Sequence, residues 1–145
     1  MDNIKIEKMN LTDLEAIKNI LASNFDDFWN YNILKEELQN ENSKYLVAKI
    51  DCDVVGFAGI KIVLDEADIM NIVVKKDFRN QGIGKLLLKD LLALCSEIGI
   101  ITINLEVNED NLHAIHLYEN FGFKKISVRK NYYKDKDGLF MRKVL

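Results

Sequence analysis

Proline is missing from this chain altogether. Every turn must therefore be made by Gly, Asn or Asp, and three segments offer them: Asp51-Cys52-Asp53, Asn108-Glu109-Asp110-Asn111 and Asp135-Lys136-Asp137-Gly138. Cysteine is scarce. Cys52 falls in a polar turn and Cys95 on an apolar helical stripe, which suggests neither a disulfide framework nor a metal site. Cys52 would be a nucleophile only beside a base, and the sequence names none. The two histidines, His113 and His116, are three apart, with no cysteine or third histidine to join them. They read as exposed helix positions, and no metal is expected. No apolar run reaches membrane-spanning length and no charged-then-apolar leader opens the chain. A cytoplasmic protein without membrane contact is expected. An excess of positive charge is lacking too. With 20 Lys+Arg against 23 Asp+Glu the net charge is −3, which excludes nucleic-acid binding through a broad basic face. An anionic ligand would have to be held by local dipoles and a few cations.

What is present suffices for one α/β domain over residues 1–145, with 48% hydrophobic and 30% charged residues. Alternation predicts a strand over Asn3 to Lys8. Thr12-Asp13-Leu14-Glu15 has the form of a capping box opening a helix to about Ser23. A loop from Phe25 to Tyr31 leads to a short helix over Ile33 to Gln39. Tyr45 to Ile50 and Val54 to Val63 form a hairpin, and Ala67 to Val74 is the next strand. A helix runs from Gly82 to near Gly99, and Ile100 to Val107 is a strand. Asp110 or Asn111 caps a helix to Phe121, closed by Gly122. Phe123 to Lys130 and Leu139 to Val144 complete the sheet. The order is β-α-α-β-β-β-α-β-α-β-β.

The most informative stretch is Arg79-Asn80-Gln81-Gly82-Ile83-Gly84-Lys85 between an apolar strand and an amphipathic helix. A strand that turns through two glycines into a helix aims free N–H groups at one point, and such a point binds phosphate. A dinucleotide loop needs a third Gly where Leu87 stands. A nucleoside-triphosphate loop needs Gly at position 79 and Ser or Thr after Gly84-Lys85, where Arg79 and Leu86 stand. What remains is R-x-x-G-x-G, with Arg79 as a bidentate anion partner. Taken alone, the segment also fits a glycine turn that merely starts a helix.

On the strand after that helix, Thr102, Asn104, Glu106 and Asn108 share one face, opposite Ile101, Ile103, Leu105 and Val107. A polar row on an inner strand needs a reason, and a cleft would supply one. Glu106 is then a candidate base, directly or through water, or else an ordinary solvated glutamate. On the following helix Ala114, Leu117, Tyr118 and Phe121 form one stripe. Tyr118 faces the domain, either as a core tyrosine or as a proton donor in the cleft.

The glycine segment, with Asn111-x-x-Ala114-x-x-Leu117-Tyr118-Glu119-x-x-Gly122-Phe123, resembles the GNAT acyl-CoA N-acyltransferase superfamily. Leu105-Glu106-Val107, Asn131-Tyr132-Tyr133, Trp29 before Leu34-x-x-Glu37-Leu38, and Glu66-Ala67-Asp68-Ile69 extend the likeness. Together they resemble the bacterial ribosomal-protein-alanine N-acetyltransferase (RimI-type) family over nearly the whole chain. The resemblance implies a GNAT fold: a mixed, mostly antiparallel seven-stranded sheet, about four flanking helices, and strands splayed at a cofactor cleft. It implies acetyl-CoA as cosubstrate, Glu106 as general base and Tyr118 as general acid. Backbone groups at Ile72, Val73 and Val74 would hold the pantetheine arm and thioester carbonyl. Asn80, Gln81, Gly82, Ile83, Gly84 and Lys85 would grip the pyrophosphate, and Asn111 would add a contact. Two places differ from the family pattern. Lys76 replaces a proline, and Lys136-Asp137-Gly138 replaces Glu-Asp-Ala after a shortened loop bordering the acceptor site.

The implied reaction is direct attack of an amine on the thioester in a ternary complex. An α-amino group has a pKa of about 7.7–8.0 against about 10.4 for lysine, so one carboxylate acting through water suits a protein N-terminus. The acceptor would be the α-amino group of a protein such as a small-subunit ribosomal protein beginning with alanine. It would approach across Phe25 to Tyr31 and Tyr132-Tyr133. A small-molecule amine is the second acceptor class, and a non-catalytic acyl-CoA-binding module the third reading. The chain would act as a monomer or homodimer.

Overall fold

The structure is a computed structural model that describes residues 3–25, 30–133 and 136–145. Seven strands form one mixed sheet: β1 (Ile4–Lys8), β2 (Ser43–Ile50), β3 (Asp53–Val63), β4 (Glu66–Val74), β5 (Thr102–Asn108), β6 (Lys124–Tyr133) and β7 (Lys136–Val144). Their spatial order is β1-β2-β3-β4-β5-β7-β6. The helices are α1 (Leu11–Ile17), α2 (Tyr31–Gln39), α3 (Ile83–Glu97) and α4 (Leu112–Asn120). Every neighbouring pair is antiparallel except β4 and β5. These two run parallel only over Glu66–Asp68 and Thr102–Asn104, and beyond Asp68 and Asn104 they are no longer paired. This fork is the splay that the family resemblance implies.

The sheet carries a core on each face. On one side Ile83, Leu87, Leu88, Leu91 and Cys95 of α3 pack on Ala58, Ile60, Ile103, Leu105 and Val107, with Leu117, Tyr118 and Phe121 at the edge of the cluster. On the other side Leu14 and Ile17 of α1 and Leu34 of α2 pack on Tyr45, Val47, Phe57 and Val73. The residues of α1 and α2 in this second cluster meet β2, β3 and β4 only. Among the described residues, α1 and α2 therefore leave the polar face of β5, β7 and β6 uncovered on this side.

Three local expectations are corrected. First, α1 starts earlier than Thr12. Asn10 is its N-cap: the Asn10 side chain accepts from the Asp13 N–H at 2.9 Å, and Asp13 accepts in return from the Asn10 N–H at 3.0 Å. The reciprocal pair is a capping box two residues before the one expected. Second, α1 does not continue regularly to Ser23. It tightens to a 3₁₀ turn over Lys18–Ile20 and widens to a π turn over Leu21–Phe25, which keeps Leu21 and Phe25 buried. Third, Lys136-Asp137-Gly138 is strand, not loop. Gly138 pairs with both Asn108 and Arg129, and the Asp137 carboxylate accepts from the Asn131 N–H at 3.0 Å, so these polar residues remain in the ladder. The hairpin between β2 and β3 turns through Asp51 (φ 50°) and Cys52 (φ 76°), as expected of a chain without proline.

Two buried acids give a measurable consequence. Burial pushes the Tyr45 phenol up to about 12, opposed in part by its bond with Asn71, and pushes the Cys95 thiol up to about 11. The folded state thus keeps protons that the unfolded chain releases from about pH 9 and 10 upward. The stability from these groups is complete below pH 9 and declines as pH rises through 11 and 12. Urea midpoints at pH 8, 9.5 and 10.5 should fall in that order. Below pH 9, Ellman's reagent should titrate exposed Cys52 at once and Cys95 only on unfolding.

Candidate active site

The glycine segment closes the open end of the fork. After β4 the chain makes a 3₁₀ turn over Lys76–Phe78, passes Asn80 at φ 63°, and enters α3 through Gly82 at φ 85°, a left-handed conformation that disfavours a side chain. Asn10, Asn30 and Asn111 cap α1, α2 and α4 with their side chains, whereas α3 has no side-chain cap. Among the described residues, no side chain caps the first-turn N–H groups at Ile83, Gly84 and Lys85. A Cβ on Gly82 would meet nothing within 4 Å, so the cradle is open on that side. Gly84 lies against β4, where its Cβ would come 3.8 Å from Val74 and 3.9 Å from Ile72. Ile72 and Val74 therefore line the α3 side, whereas Val73 is buried in the opposite core. An uncapped, open helix N-terminus beside an unpaired strand edge fits a phosphate-bearing thioester cosubstrate.

Arg79 is placed differently from a free anion partner. Its Nε donates to the Val74 carbonyl at 2.9 Å and its Nη2 to the Phe25 carbonyl at 2.8 Å. One edge of the guanidinium is thereby engaged by two backbone carbonyls, tying the end of β4 to the end of the π turn. Asn111 is partly engaged as well, since its Oδ1 accepts from the Ala114 N–H at 3.2 Å. Its amide nitrogen and the second lone pair of Oδ1 remain for a cofactor contact.

The polar row of β5 divides into two parts. Asn104 is buried, and its Nδ2 donates to Glu66 at 3.0 Å and Asp68 at 3.1 Å, while its Oδ1 accepts from Arg142 Nε at 2.8 Å. This network ties β4, β5 and β7 together where the fork begins, so half of the row is structural. Glu106, two residues further, stands beyond the last residues of β5 that pair with β4. Its Oε1 accepts from Arg129 Nη1 at 2.9 Å, while its Oε2 is buried and has no hydrogen-bond partner. Asn71 of β4 is the second such group among the described residues: it is 8% exposed, and its Oδ1 is buried without a partner. Two buried acceptors without donors on the diverging strands invite an N–H or O–H donor between them.

Tyr118 lies on α4, half-buried against the α3-side core, with its ring edge-on to Phe123 at a centroid distance of 5.9 Å. Glu106 and Tyr118 thus belong to opposite faces of the sheet. His113 and His116 are both exposed on α4. Of the acceptor-side segments, residues 26–29, which include Trp29, and the side chain of Tyr133 lie outside the described residues. Asn71 and Arg129 were missed by sequence reasoning. Asn71 carried a faint signal as the one polar residue in the run Ile69 to Val74; Arg129 carried none.

A forked mixed sheet, a glycine-led uncapped helix and a carboxylate on the lip of the fork define a class of acyl-transfer enzyme. The chain belongs to the acetyltransferase (GNAT) family, which matches residues 14–123, and is an acetyl-CoA-dependent N-acetyltransferase. Among named relatives, the [ribosomal protein bS18]-alanine N-acetyltransferase of Escherichia coli K12 is 35% identical over 135 residues, 92% of this chain and 89% of that protein. The enzyme of the same name from Haemophilus influenzae is 39% identical over 112 residues, 76% of this chain and 74% of that protein. The crystal structure of the Escherichia coli ribosomal-protein-S18-alanine N-acetyltransferase superposes with a TM-score of 0.88 at 32% identity, covering 96% of this chain and 92% of that one. The seven-stranded sheet, the four helices and the splay expected from the sequence are those of this fold.

Proposed function

We propose that the chain works as one domain that acetylates the N-terminal α-amino group of a protein, with a ribosomal protein beginning with alanine as its acceptor. The names of its relatives support the acceptor class. The observation that carries the chemistry is the buried, unpartnered Oε2 of Glu106 beside the fork. A carboxylate oxygen with no internal donor is free to accept the proton of an attacking amine, directly or through one water. An α-ammonium with a pKa of about 7.7–8.0 needs only this modest help at neutral pH.

The rest of the site divides the remaining work. Backbone groups from Asn80 to Lys85 hold the pyrophosphate, with the dipole of α3 behind them. Backbone groups at Ile72, Val73 and Val74, on the strand edge left unpaired by β5, hold the arm and polarise the carbonyl. Acetyl-CoA supplies the activated thioester. Tyr118 reaches the fork from the other face and returns a proton to the leaving sulfur. A phenol of pKa about 10 gives its proton readily to a thiolate bound for a thiol of about 8.5 only when that transfer is coupled to departure. Such a protein works in the cytoplasm, where ribosomal proteins are made.

The test follows free-thiol release from acetyl-CoA with three acceptors: a peptide with free N-terminal alanine, the same peptide blocked at its N-terminus with a free lysine, and spermidine. The alanine peptide should turn over fastest. Faster turnover of the lysine or of spermidine would overturn the acceptor assignment. No turnover of any of them despite acetyl-CoA binding would point to a non-catalytic module.

A further inference from the structure

We propose that Arg129 is a positioning residue for this reaction: it locks one oxygen of the Glu106 carboxylate so that the other alone serves the acceptor. The proposal rests on the reading of Glu106 as base.

The register places the two groups for this contact. Arg129 of β6 pairs with Gly138 of β7, while Glu106 of β5 pairs with Phe140, two residues along β7 on the same face. The side chains must meet across β7, a span of two inter-strand spacings, roughly 10 Å. A long arginine reaches that far only if nothing stands between. Gly138, the β7 residue facing both Arg129 and Asn108, has no side chain to intervene. The Nη1 to Oε1 distance is 2.9 Å.

Arg129 is itself held from above. Its guanidinium lies 4.5 Å from the centroid of the Tyr132 ring, within cation–π range. Tyr132 covers Gly138 so closely that a Cβ there would come within 3.0 to 3.2 Å of its Cδ2, Cβ and Cγ atoms. The fold-back comes from an irregularity in β6. Arg129 to Tyr133 on β6 is matched by only Lys136 to Gly138 on β7, so β6 carries two extra residues. Asn131 takes up a φ of 55° in that stretch, and its N–H is held by Asp137 at 3.0 Å. The segment that departs from the family pattern thus forms the floor and latch under Tyr132.

The contact is asymmetric in a useful way. Arg129 is 61% exposed and Glu106 23%, so the locked oxygen faces solvent and the partnerless Oε2 faces inward. An ion pair this exposed adds little to stability. Its consequence is orientation: with Oε1 held, the carboxylate cannot rotate its second oxygen out of the fork. Several other charged groups on this face have partners of their own. Arg142 and Asp68 bond to Asn104, Glu66 accepts from Asn104, and Lys136 pairs with Asp110.

The experiment measures steady-state kinetics of the full chain with acetyl-CoA and an alanine-terminated peptide, for Arg129→Ala, Arg129→Lys, Glu106→Gln and Arg129→Ala with Glu106→Gln. Arg129→Ala should lower kcat about tenfold through misorientation of the base, with the KM for acetyl-CoA unchanged. Arg129→Lys should recover most of that loss, since an ammonium can still hold Oε1. In the Glu106→Gln background, Arg129→Ala should cause no further fall. Unchanged kcat in Arg129→Ala, or the same tenfold fall in the Glu106→Gln background, overturns the proposal while leaving the base intact. Full activity of Glu106→Gln alone overturns the base instead, and is read separately.

Discussion

Glu106→Gln should lower kcat for an alanine-terminated peptide by about 100- to 10,000-fold, the range expected when a general base is removed. The affinity for acetyl-CoA should not change, because the glycine turn proposed to hold the pyrophosphate lies on another element. The substitution is close to isosteric, and the amide oxygen can still accept from Arg129. What it adds is an NH₂ group where the partnerless Oε2 stood, a donor facing an incoming donor. Asp68 and Glu66, carboxylates on this face, both accept from Asn104 where the strands are still paired. The residual rate should rise with pH as the acceptor supplies more of its own neutral form. Thermal stability should hardly move, since the pair with Arg129 is largely exposed. A variant as active as the parent at pH 7, with its fold intact by circular dichroism, would remove Glu106 from the mechanism.

How far the site was legible depended on whether its parts are local in sequence. The glycine turn is local: a strand, a left-handed glycine and a helix without a cap are all encoded within Asp68 to Leu91, and the structure forms them there. The inward face of Tyr118 followed from helical periodicity, and the open side of β5 from alternation. The partners of Glu106 were not legible. Arg129 meets it only because β7 returns between β5 and β6, and because two extra residues in β6 fold Tyr132 over Gly138. Such a contact depends on strand order and register, which no spacing along the chain reveals. The same holds for Asn104. Its place in a polar row correctly marked an unusual inner strand, but the row serves two ends: a structural network where the strands pair and a candidate base where they part. The helix start at Asn10 was obscured for a simpler reason. Asn10 with Asp13 and Thr12 with Glu15 both have capping form; Lys49 holds the buried Asp13 carboxylate at 2.7 Å while the Tyr31 hydroxyl takes up Glu15, and both contacts lie far away in sequence.

Arg79→Ala should cost about 2 kcal/mol of stability, a fall of roughly 5 °C in Tm, and should raise the KM for acetyl-CoA only a few-fold. The reason is the geometry of its donors. Charged donors to backbone carbonyls are among the stronger neutral-acceptor bonds, and this side chain makes two, at 2.9 Å to Val74 and 2.8 Å to Phe25. Removing it leaves both carbonyls without that donor and unties two segments that are otherwise far apart in sequence. Arg79→Lys is the discriminating variant. An ammonium carries the same charge, but it lacks the planar edge that reaches two carbonyls at once. If Arg79 is a brace, the lysine variant should lose nearly as much stability as the alanine one. If Arg79 is instead a direct anion partner, the lysine variant should keep both its Tm and most of its acetyl-CoA affinity, while the alanine variant loses affinity and keeps its Tm. Differential scanning calorimetry with and without acetyl-CoA separates the two outcomes. The brace predicts a Tm deficit in both variants that persists in saturating acetyl-CoA, because the ligand stabilises parent and variants alike when its affinity is nearly the same.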